Sequence, residues 1–193
     1  TCNKCNMVTY CNAACKKKHR SKHKKACKKR AAELHDEALF QEHPPTDDCP
    51  ICFLPLPLDL GQLDFKLCCG KLICDGCIYA MLEEARGRGG EVGLCAFCRT
   101  SVSNSNEEGV ERIRKLMESD NAYAFLNLAG FYDRGIMGMP QDFVKANELW
   151  LRAGDLGCAK GYCNLGFSYE NGVGVEVDKK KATYFYELAA MKG

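Results

Sequence analysis

Long apolar runs are absent from this 193-residue sequence, and no stretch approaches the ~20 consecutive apolar residues that a membrane span requires. We therefore expect a chain without membrane-spanning segments. The first half is especially poor in apolar runs. A module of roughly 40–50 residues in that half would need disulfides or metal ions in place of a large hydrophobic core.

Acidic residues are missing from residues 16–30, which hold ten lysines and arginines. The formal net charge of the whole chain is only +2, because acidic residues return from Glu33 onward. Such a basic run can contact nucleic acid, act as a nuclear address, or form the solvated face of a helix. Since no aromatic side chain interrupts the run to stack on bases, the sequence favours the solvated helix and speaks against nucleic acid.

Cysteine, by contrast, is abundant, and 13 of the 15 cysteines fall between Cys2 and Cys98. Most stand in C-x2-C or C-x3-C pairs, with a histidine near one of them, and this spacing is typical of zinc ligands. The N-terminal segment is polar and does not resemble a signal peptide. We therefore expect reduced cysteines and an intracellular location, cytoplasmic or nuclear. A secreted disulfide framework is the alternative.

Composition divides the chain into five segments. We expect a multi-domain protein with two small zinc-stabilised modules of irregular α+β structure, followed by an all-α helix-pair solenoid. A short helix is predicted after the first cysteine-rich segment, ending before Pro44 and Pro45. The segments are a first zinc module at 1–27, a helical linker at 28–48, a second zinc module at 49–100, a linker with a capping helix at 101–119, and a repeat region at 120–193.

The repeat region matches itself at a distance of 36 or 37 residues. The clearest matching pairs are Asp142/Asp178, Lys145/Lys181, Trp150/Tyr186 and Tyr132/Tyr169. A period of this length, built from two helical segments, predicts a helix-pair solenoid. The pattern resembles the SEL-like repeats, which are relatives of the tetratricopeptide repeat. The resemblance implies a scaffold that binds other proteins on a concave face, and two copies alone imply a longer array.

The second module contains four cysteine pairs, which are Cys49/Cys52, Cys68/Cys69, Cys74/Cys77 and Cys95/Cys98. This order fits a cross-brace in which the first and third pairs hold one zinc ion and the second and fourth pairs hold another. It resembles the RING finger, whose second pair is usually C-x-H. Here Lys71 stands at the histidine position, and the resemblance assigns Cys68 and Cys69 instead, with Gly70 easing the tight turn. A water ligand and a single-zinc domain are the alternatives.

The RING resemblance implies a surface for a ubiquitin-conjugating enzyme, with Ile51, Ile78, Ala96 and Arg99 at the matching positions. Ala96 replaces the proline usual in that family. A small structural core is the alternative role for Ile51 and Ile78. In this mechanism the module has no nucleophile of its own. It would hold the ubiquitin thioester ready for attack by a lysine of a substrate that the repeats hold.

The first module resembles the C-terminal part of a MYND zinc finger, through its Y-C-x3-C and H-K-x2-C motifs. The family's first C-x2-C pair is absent, so the resemblance implies an N-terminally truncated finger with one complete zinc site and one partial site. It assigns Cys2, Cys5, His23 and Cys27 to the complete site, and Cys11 and Cys15 to the partial one.

Together these features predict a zinc-binding RING-type ubiquitin ligase. The alternative is a non-catalytic zinc-binding scaffold or transcriptional adaptor, and the sequence leaves open whether the chain is an enzyme. A redox enzyme is disfavoured because the cysteine pairs are too numerous and lie outside any βαβ pattern. A lysine methyltransferase, which MYND fingers can accompany, is disfavoured because no cofactor-binding segment is recognisable.

Overall fold

The computed structural model describes most of the chain, which forms two compact units, Thr1–Glu42 and His43–Gly193. Among the described residues, no helix is both long and apolar enough to cross a membrane. The described residues are 2–7, 9, 13–41, 47–57, 59–87 and 93–192, without the side chains of Cys15 and Arg20.

The first unit is built on one long helix, α1, Ala13–Leu39. Its 27 residues span about 40 Å, at 1.5 Å per residue. The sequence predicted a solvated helix face within residues 16–30 and a helical linker at 28–48, whereas the structure forms one continuous helix that begins earlier, at Ala13. Because glycine and proline are absent between Ala13 and Leu39 and the strong helix formers Lys, Ala and Glu dominate, nothing interrupts the helix earlier. The predicted stop at Pro44 and Pro45 lies outside the described residues.

The basic half of α1 lies in solvent. Every lysine between residues 16 and 29 is exposed. Farther along the helix, the guanidinium of Arg30 lies 3.3 Å from a carboxylate oxygen of Glu33 and 2.8 Å from one of Glu37. The lysine-rich stretch therefore forms a solvated helix face, and ion pairs begin only where the acidic residues return.

The second unit starts with a small module around a two-stranded antiparallel sheet. Strand β1, Leu63–Phe65, follows a 3-10 turn at Leu60–Gln62 and pairs with β2, Leu72–Cys74. Helix α2, Asp75–Gly87, begins directly after β2. A buried cluster of Cys49, Leu56 and Ile73 forms the apolar core of the module, and Cys95 is also buried.

Five helices complete the second unit. Helices α4 and α6 end at Gly135 and Gly172, whose φ angles of 63° and 74° lie in the left-handed region that glycine adopts without strain. The helices are α3, Asn106–Glu118, α4, Ala122–Arg134, α5, Phe143–Asp155, α6, Ala159–Asn171, and α7, Lys179–Lys192.

The same backbone hydrogen bond closes the turn inside each helix pair. The N–H of Asp142 donates to the carbonyl of Tyr132 at 2.9 Å, and the N–H of Asp178 donates to that of Tyr169 at 2.9 Å. Each aspartate side chain also caps the helix that follows, by accepting backbone N–H bonds. The sequence period therefore corresponds to a repeated helix–turn–helix, α4 with α5 and α6 with α7.

Two apolar clusters hold the helices together. Helix α3 buries Val110 and Ile113 against α4, where Leu128 and Phe131 complete the cluster. A second cluster joins the helix pairs, and its buried members are Ala129, Ala146, Trp150, Tyr162 and Leu165. Helix α3 thus covers the apolar surface that the first repeat presents on its N-terminal side.

Helices α5 and α6 approach each other so closely that only glycine fits at the crossing. A Cβ atom at Gly161 would lie 2.5 Å from the carbonyl oxygen of Trp150 and 2.7 Å from the backbone nitrogen of Gly154. Both neighbours are backbone atoms and cannot rotate away. By contrast, a Cβ at Gly130 in α4 would meet only the mobile end of the Arg134 side chain, at 3.3 Å.

We predict that Gly161→Ala lowers the free energy of unfolding of the repeats by about 1–3 kcal/mol or more, because the added methyl group forces α5 and α6 apart. The matched change Gly130→Ala should leave stability unchanged or raise it by up to about 1 kcal/mol, because alanine favours a helix interior. Urea unfolding followed by circular dichroism measures both changes. Equal losses of stability in the two variants would contradict the close approach.

Candidate metal centres

Among the described residues, three groups of cysteine and histidine side chains converge, one in the first unit and two in the second. Within each group the four candidate ligand atoms all lie within 4.8 Å of one another. The groups are Cys2, Cys5, His23 and Cys27, called cluster A; Cys49, Cys52, Cys74 and Cys77, called cluster B; and Cys68, Cys69, Cys95 and Cys98, called cluster C.

Cluster A joins the N-terminal loop to helix α1. The Sγ atoms of Cys2 and Cys27 lie 3.7 Å apart, and the Sγ of Cys5 lies 3.2 Å from Nε2 of His23. His23 and Cys27 are one helical turn apart, so both side chains leave the same face of α1. Of the predicted partial site, Cys11 and the side chain of Cys15 lie outside the described residues, and that site stays a prediction.

Clusters B and C are interleaved along the chain. In cluster B, Cys49 lies 3.8 Å from Cys77 and Cys52 lies 3.8 Å from Cys74, sulfur to sulfur. In cluster C the corresponding distances are 3.3 Å for Cys68 to Cys98 and 4.0 Å for Cys69 to Cys95. The first cysteine pair of the module meets the third, and the second meets the fourth.

These distances fit zinc. A tetrahedral zinc ion lies about 2.3 Å from each thiolate, which places neighbouring sulfur atoms about 3.8 Å apart. The two distances in cluster B are both 3.8 Å, and those in cluster C, 3.3 Å and 4.0 Å, lie on either side of that value. Four thiols are a ligand set that zinc accepts in closed structural sites, where it holds chain segments together rather than performing chemistry.

Three of the C-x2-C pairs lie in the same kind of backbone turn, which we call a knuckle turn. In each, the residue after the second cysteine donates its N–H to the carbonyl of the first cysteine, at 2.9 to 3.0 Å. That residue adopts a left-handed backbone, with φ angles of 52° at Asn6, 59° at Phe53 and 60° at Arg99. The turn directs both thiols of a pair to the same side, so each pair supplies two ligands to one cluster.

The adjacent cysteines of cluster C lie in a fourth turn with the same hydrogen bonds. The N–H of Gly70 donates to the carbonyl of Lys66 at 2.8 Å, and Gly70 has a φ angle of 66°. Lys66 therefore occupies the place of a first cysteine, and Cys69 occupies that of the second. The missing thiol comes from Cys68, inside the turn. Lys71 is exposed and lies outside the cluster.

Each cluster contains one thiol that ionises easily. The backbone N–H of Lys4 and then His23 lower the pKa of Cys2 to about 6. Burial opposes ionisation of Cys49, but backbone N–H groups led by that of Cys52 outweigh it and lower the pKa of that thiol to about 6. The hydroxyl and the N–H of Thr100 lower the pKa of Cys98 to about 6.

Five other thiols, those of Cys27, Cys68, Cys69, Cys74 and Cys77, resist ionisation. Burial and the neighbouring thiols raise the pKa of Cys27 to about 11 and that of Cys77 to about 12, and they also raise the pKa of Cys68. The first thiolate in each cluster therefore opposes the formation of the next, because like charges repel at these distances. A divalent cation removes that repulsion, and the donor sets are accordingly suited to a metal ion.

The predicted partner-binding residues of the second module divide into two groups. Ile78 and Ala96 are half-buried and pack against the core of Cys49, Leu56 and Ile73, whereas Ile51 and Arg99 are exposed. The knuckle turn also exposes Phe53 and Leu54, which sequence reasoning missed. Their position directly after a C-x2-C pair is the signal that could have identified them.

A groove of about 480 Å³ runs along the repeats. Asn127 and Asn164, at equivalent positions of α4 and α6, line it together with Phe167. The 3-10 turn at Leu60–Gly61 reaches the same groove from the second zinc module. The groove was not predicted as a set of residues, because its members are individually ordinary and become neighbours only when the two repeats stack.

Comparison with protein families matches both ends of the chain. The MYND finger family matches residues 1–27, and the Sel1 repeat family matches residues 122–158 and 159–193. The chain carries an N-terminal MYND finger and two C-terminal Sel1 repeats. The MYND match and the three clusters support zinc binding, whereas the number of ions in the whole chain stays a prediction. Neither matched family covers residues 28–121.

Two solved structures are similar to part of this chain. One is a Sel1 repeat protein from Oxalobacter formigenes, with 30% identity over 44% of this chain and 64% of that chain, and a TM-score of 0.41. The other is c5321, a protective antigen of uropathogenic Escherichia coli with an SLR fold, with 27% identity over 47% of this chain and 19% of that chain, and a TM-score of 0.44. This chain spans less than two thirds of each. No curated protein matches it.

We predict that metal affinity rises steeply with pH. In cluster B the pKa values of Cys74 and Cys77 are raised above the usual 9.0, and in cluster C so are those of Cys68 and Cys69. Each of these clusters therefore holds at least two protons at pH 7 that the metal must displace. The affinity of clusters B and C should grow about 100-fold per pH unit or more between pH 6.5 and 7.5.

Competition with a chromophoric zinc chelator, corrected for the chelator's own protonation, measures this dependence. Cys163→Ser provides the control, because Cys163 lies outside all three clusters and its loss should leave the profile unchanged. A slope below tenfold per pH unit would show that the thiols are already ionised in the free protein.

Proposed function

We propose that this protein is a zinc-binding interaction scaffold whose Sel1 repeats bind a partner protein in the groove between α4 and α6. The observation that carries the proposal is the groove itself, which an exposed aromatic ring and two asparagine side chains line at neighbouring repeat positions. Amide side chains pair readily with an extended peptide backbone, because they both donate and accept hydrogen bonds.

Charge in the groove indicates the kind of peptide. Arg134 and Lys160 line it, against the single carboxylate of Asp133. The side chain of Phe167 is 56% exposed and offers an apolar contact. An extended peptide with acidic residues beside an apolar side chain complements this surface.

Selection of a phage-displayed peptide library on the full chain tests the proposal. We expect enriched peptides to combine acidic and apolar residues and to lose at least tenfold in affinity on Phe167→Asp, because the change removes the apolar contact and repels the acidic residues.

Val144→Asp is the matched control, since Val144 is 55% exposed on the repeats but does not line the groove. This variant should bind the selected peptides like the unchanged chain. Equal losses of peptide affinity in both variants, or unchanged affinity for Phe167→Asp, would exclude the groove as the binding surface.

A RING-type ubiquitin ligase is the second candidate function, and one observation favours it. Two four-cysteine clusters are formed by alternating cysteine pairs, the first with the third and the second with the fourth. This is the arrangement that the resemblance to RING fingers implies for residues 49–100. In this role the module would recruit a ubiquitin-conjugating enzyme, and the repeats would hold the substrate.

The exposed residues of the knuckle turns would form the contact with the conjugating enzyme. Ile51 offers an apolar side chain on the first turn, and Arg99 offers a charge directly after the last cysteine. Ile78 and Ala96 would support that surface from the core of the module rather than bind the enzyme themselves, because both are half-buried. The module would act by holding the thioester in an orientation suited to attack.

Self-ubiquitylation with a panel of conjugating enzymes tests this second role. We expect ubiquitin chains with at least one enzyme, and a fall in rate of about tenfold or more with Ile51→Ala or Arg99→Ala, as is typical of interface positions that cost 1–2 kcal/mol. Val102→Ala, at an exposed apolar position outside the two turns, is the control and should retain the rate. Failure with every enzyme would leave the scaffold as the function.

A further inference from the structure

The turn that holds the adjacent cysteines of cluster C lies directly against the repeats. A Cβ atom at Gly70 would stand 2.7 Å from Nδ2 of Asn121 and 2.9 Å from Cδ2 of Leu116. Asn121 and Leu116 form the junction between α3 and α4. The backbone of the metal-binding turn therefore packs against the first helices of the array with no room for a larger residue.

Asn121 joins the two parts by using both ends of its amide group. Its Oδ1 accepts the N–H of Ala124 at 3.1 Å and so caps the N-terminus of α4. Its Nδ2 donates to the carbonyl of Gly70 at 3.2 Å. The same side chain thus caps the start of the first repeat helix and holds the turn that contains Cys68 and Cys69.

Apolar contacts surround this hydrogen bond. Phe65, which precedes the turn, and Leu67, within it, pack against the buried cluster of α3 and α4. The ring of Phe65 lies 6.4 Å from that of Tyr123, centroid to centroid. After the last knuckle turn, the carbonyl of Ser101 accepts a 2.7 Å hydrogen bond from Arg112 on α3. Both sequence segments that supply cluster C are therefore fastened to the helices.

Cluster B has a different neighbourhood. Leu56 and Leu72, which belong to its apolar surroundings, face the repeats across a cavity of about 350 Å³ that Cys158 and Ala189 line from the other side. The hydrogen bonds from Asn121 to Gly70 and from Arg112 to Ser101, by contrast, lie beside cluster C.

We infer that metal binding at cluster C stabilises the first helix pair of the repeats, so that the second zinc module is a metal-dependent N-terminal cap of the array. The metal would fix the backbone turn Lys66–Lys71, and the carbonyl of Gly70 in that turn would hold Asn121 in its capping position. This inference rests on metal binding at cluster C, and it makes partner binding by the repeats dependent on zinc. Neither matched family supplies this link, because neither covers Gly70, Leu116 or Asn121.

Hydrogen exchange of the full chain, followed by mass spectrometry with and without a zinc chelator, tests the inference. We expect amides of α4 to exchange at least tenfold faster after metal removal, while those of α7, at the far end of the array, change less than twofold. If the exchange rate in α4 does not change after metal removal, or if it rises equally in α4 and α7, the inference of a metal-dependent cap is wrong.

Asn121→Asp isolates the connecting hydrogen bond. Aspartate caps a helix as well as asparagine does, but it cannot donate to the carbonyl of Gly70. With metal bound, α4 in this variant should exchange about threefold to tenfold faster, as the loss of one hydrogen bond implies, while its metal content stays the same. Asp142→Asn is the matched control at the cap of α5 and should leave exchange in α4 unchanged. Unchanged exchange in both variants would overturn the role of Asn121.

Metal content separates this inference from metal binding itself. Cys68→Ser should lower the zinc content, measured by elemental analysis, by about one ion per chain. If zinc is lost but exchange in α4 does not change, cluster C binds metal without capping the repeats. If the zinc content does not change, cluster C is not a metal site, and the inference fails with it.

Discussion

The fold of the second zinc module depends on two clusters, in each of which four thiols lie within 4.8 Å of one another. Only four apolar side chains of the module are buried in the described part of the chain, and two of these belong to cysteines, which is too little to hold about fifty residues in place. The thiols cannot supply the missing stability by themselves, because each thiolate makes the next harder to form. A bound cation reverses this effect and converts mutual repulsion into a cross-link, so strand pairing, helix α2 and the knuckle turns are all arranged around the two clusters.

The knuckle turn explains how a cluster tolerates an altered motif. Its hydrogen bonds involve only the backbone, so the turn at Lys66–Lys71 forms although lysine replaces the first cysteine. In this turn Cys68, at the third position, supplies to cluster C the thiol that the first position supplies in the other turns. The residue after the second cysteine of the turn needs a left-handed backbone. Gly70 adopts this conformation at no cost, whereas Phe53 and Arg99 adopt it with strain. Gly70 also packs directly against Leu116 and Asn121 of the helices.

The parts of the structure that follow from local pattern could be predicted from the sequence. The repeat period predicted the helix pairs, and the order of the cysteine pairs predicted which pairs lie close together, whereas the assignment of Cys68 and Cys69 came from the resemblance to RING fingers. The start of α1 at Ala13 was missed, because metal-ligand spacing conceals a continuous helix. The bond from Asn121 to Gly70 joins residues 51 positions apart, and the groove depends on stacking, so neither leaves a local signal. Ubiquitin ligase activity stays a prediction, whereas the MYND finger and the Sel1 repeats are confirmed.

The attachment of the second zinc module to the repeats bears on both candidate functions. Because Leu60 and Gly61 reach the groove of the repeats, a bound peptide would contact the zinc module as well as the helices. A scaffold gains from this arrangement a binding surface that exists in full only when the module is folded. A ligase would gain a substrate held at a fixed distance from the conjugating enzyme, which is what positional catalysis requires. The packing of Gly70 against Leu116 and Asn121 serves either role, because it fixes the position of the zinc module relative to the repeats whichever partner they bind.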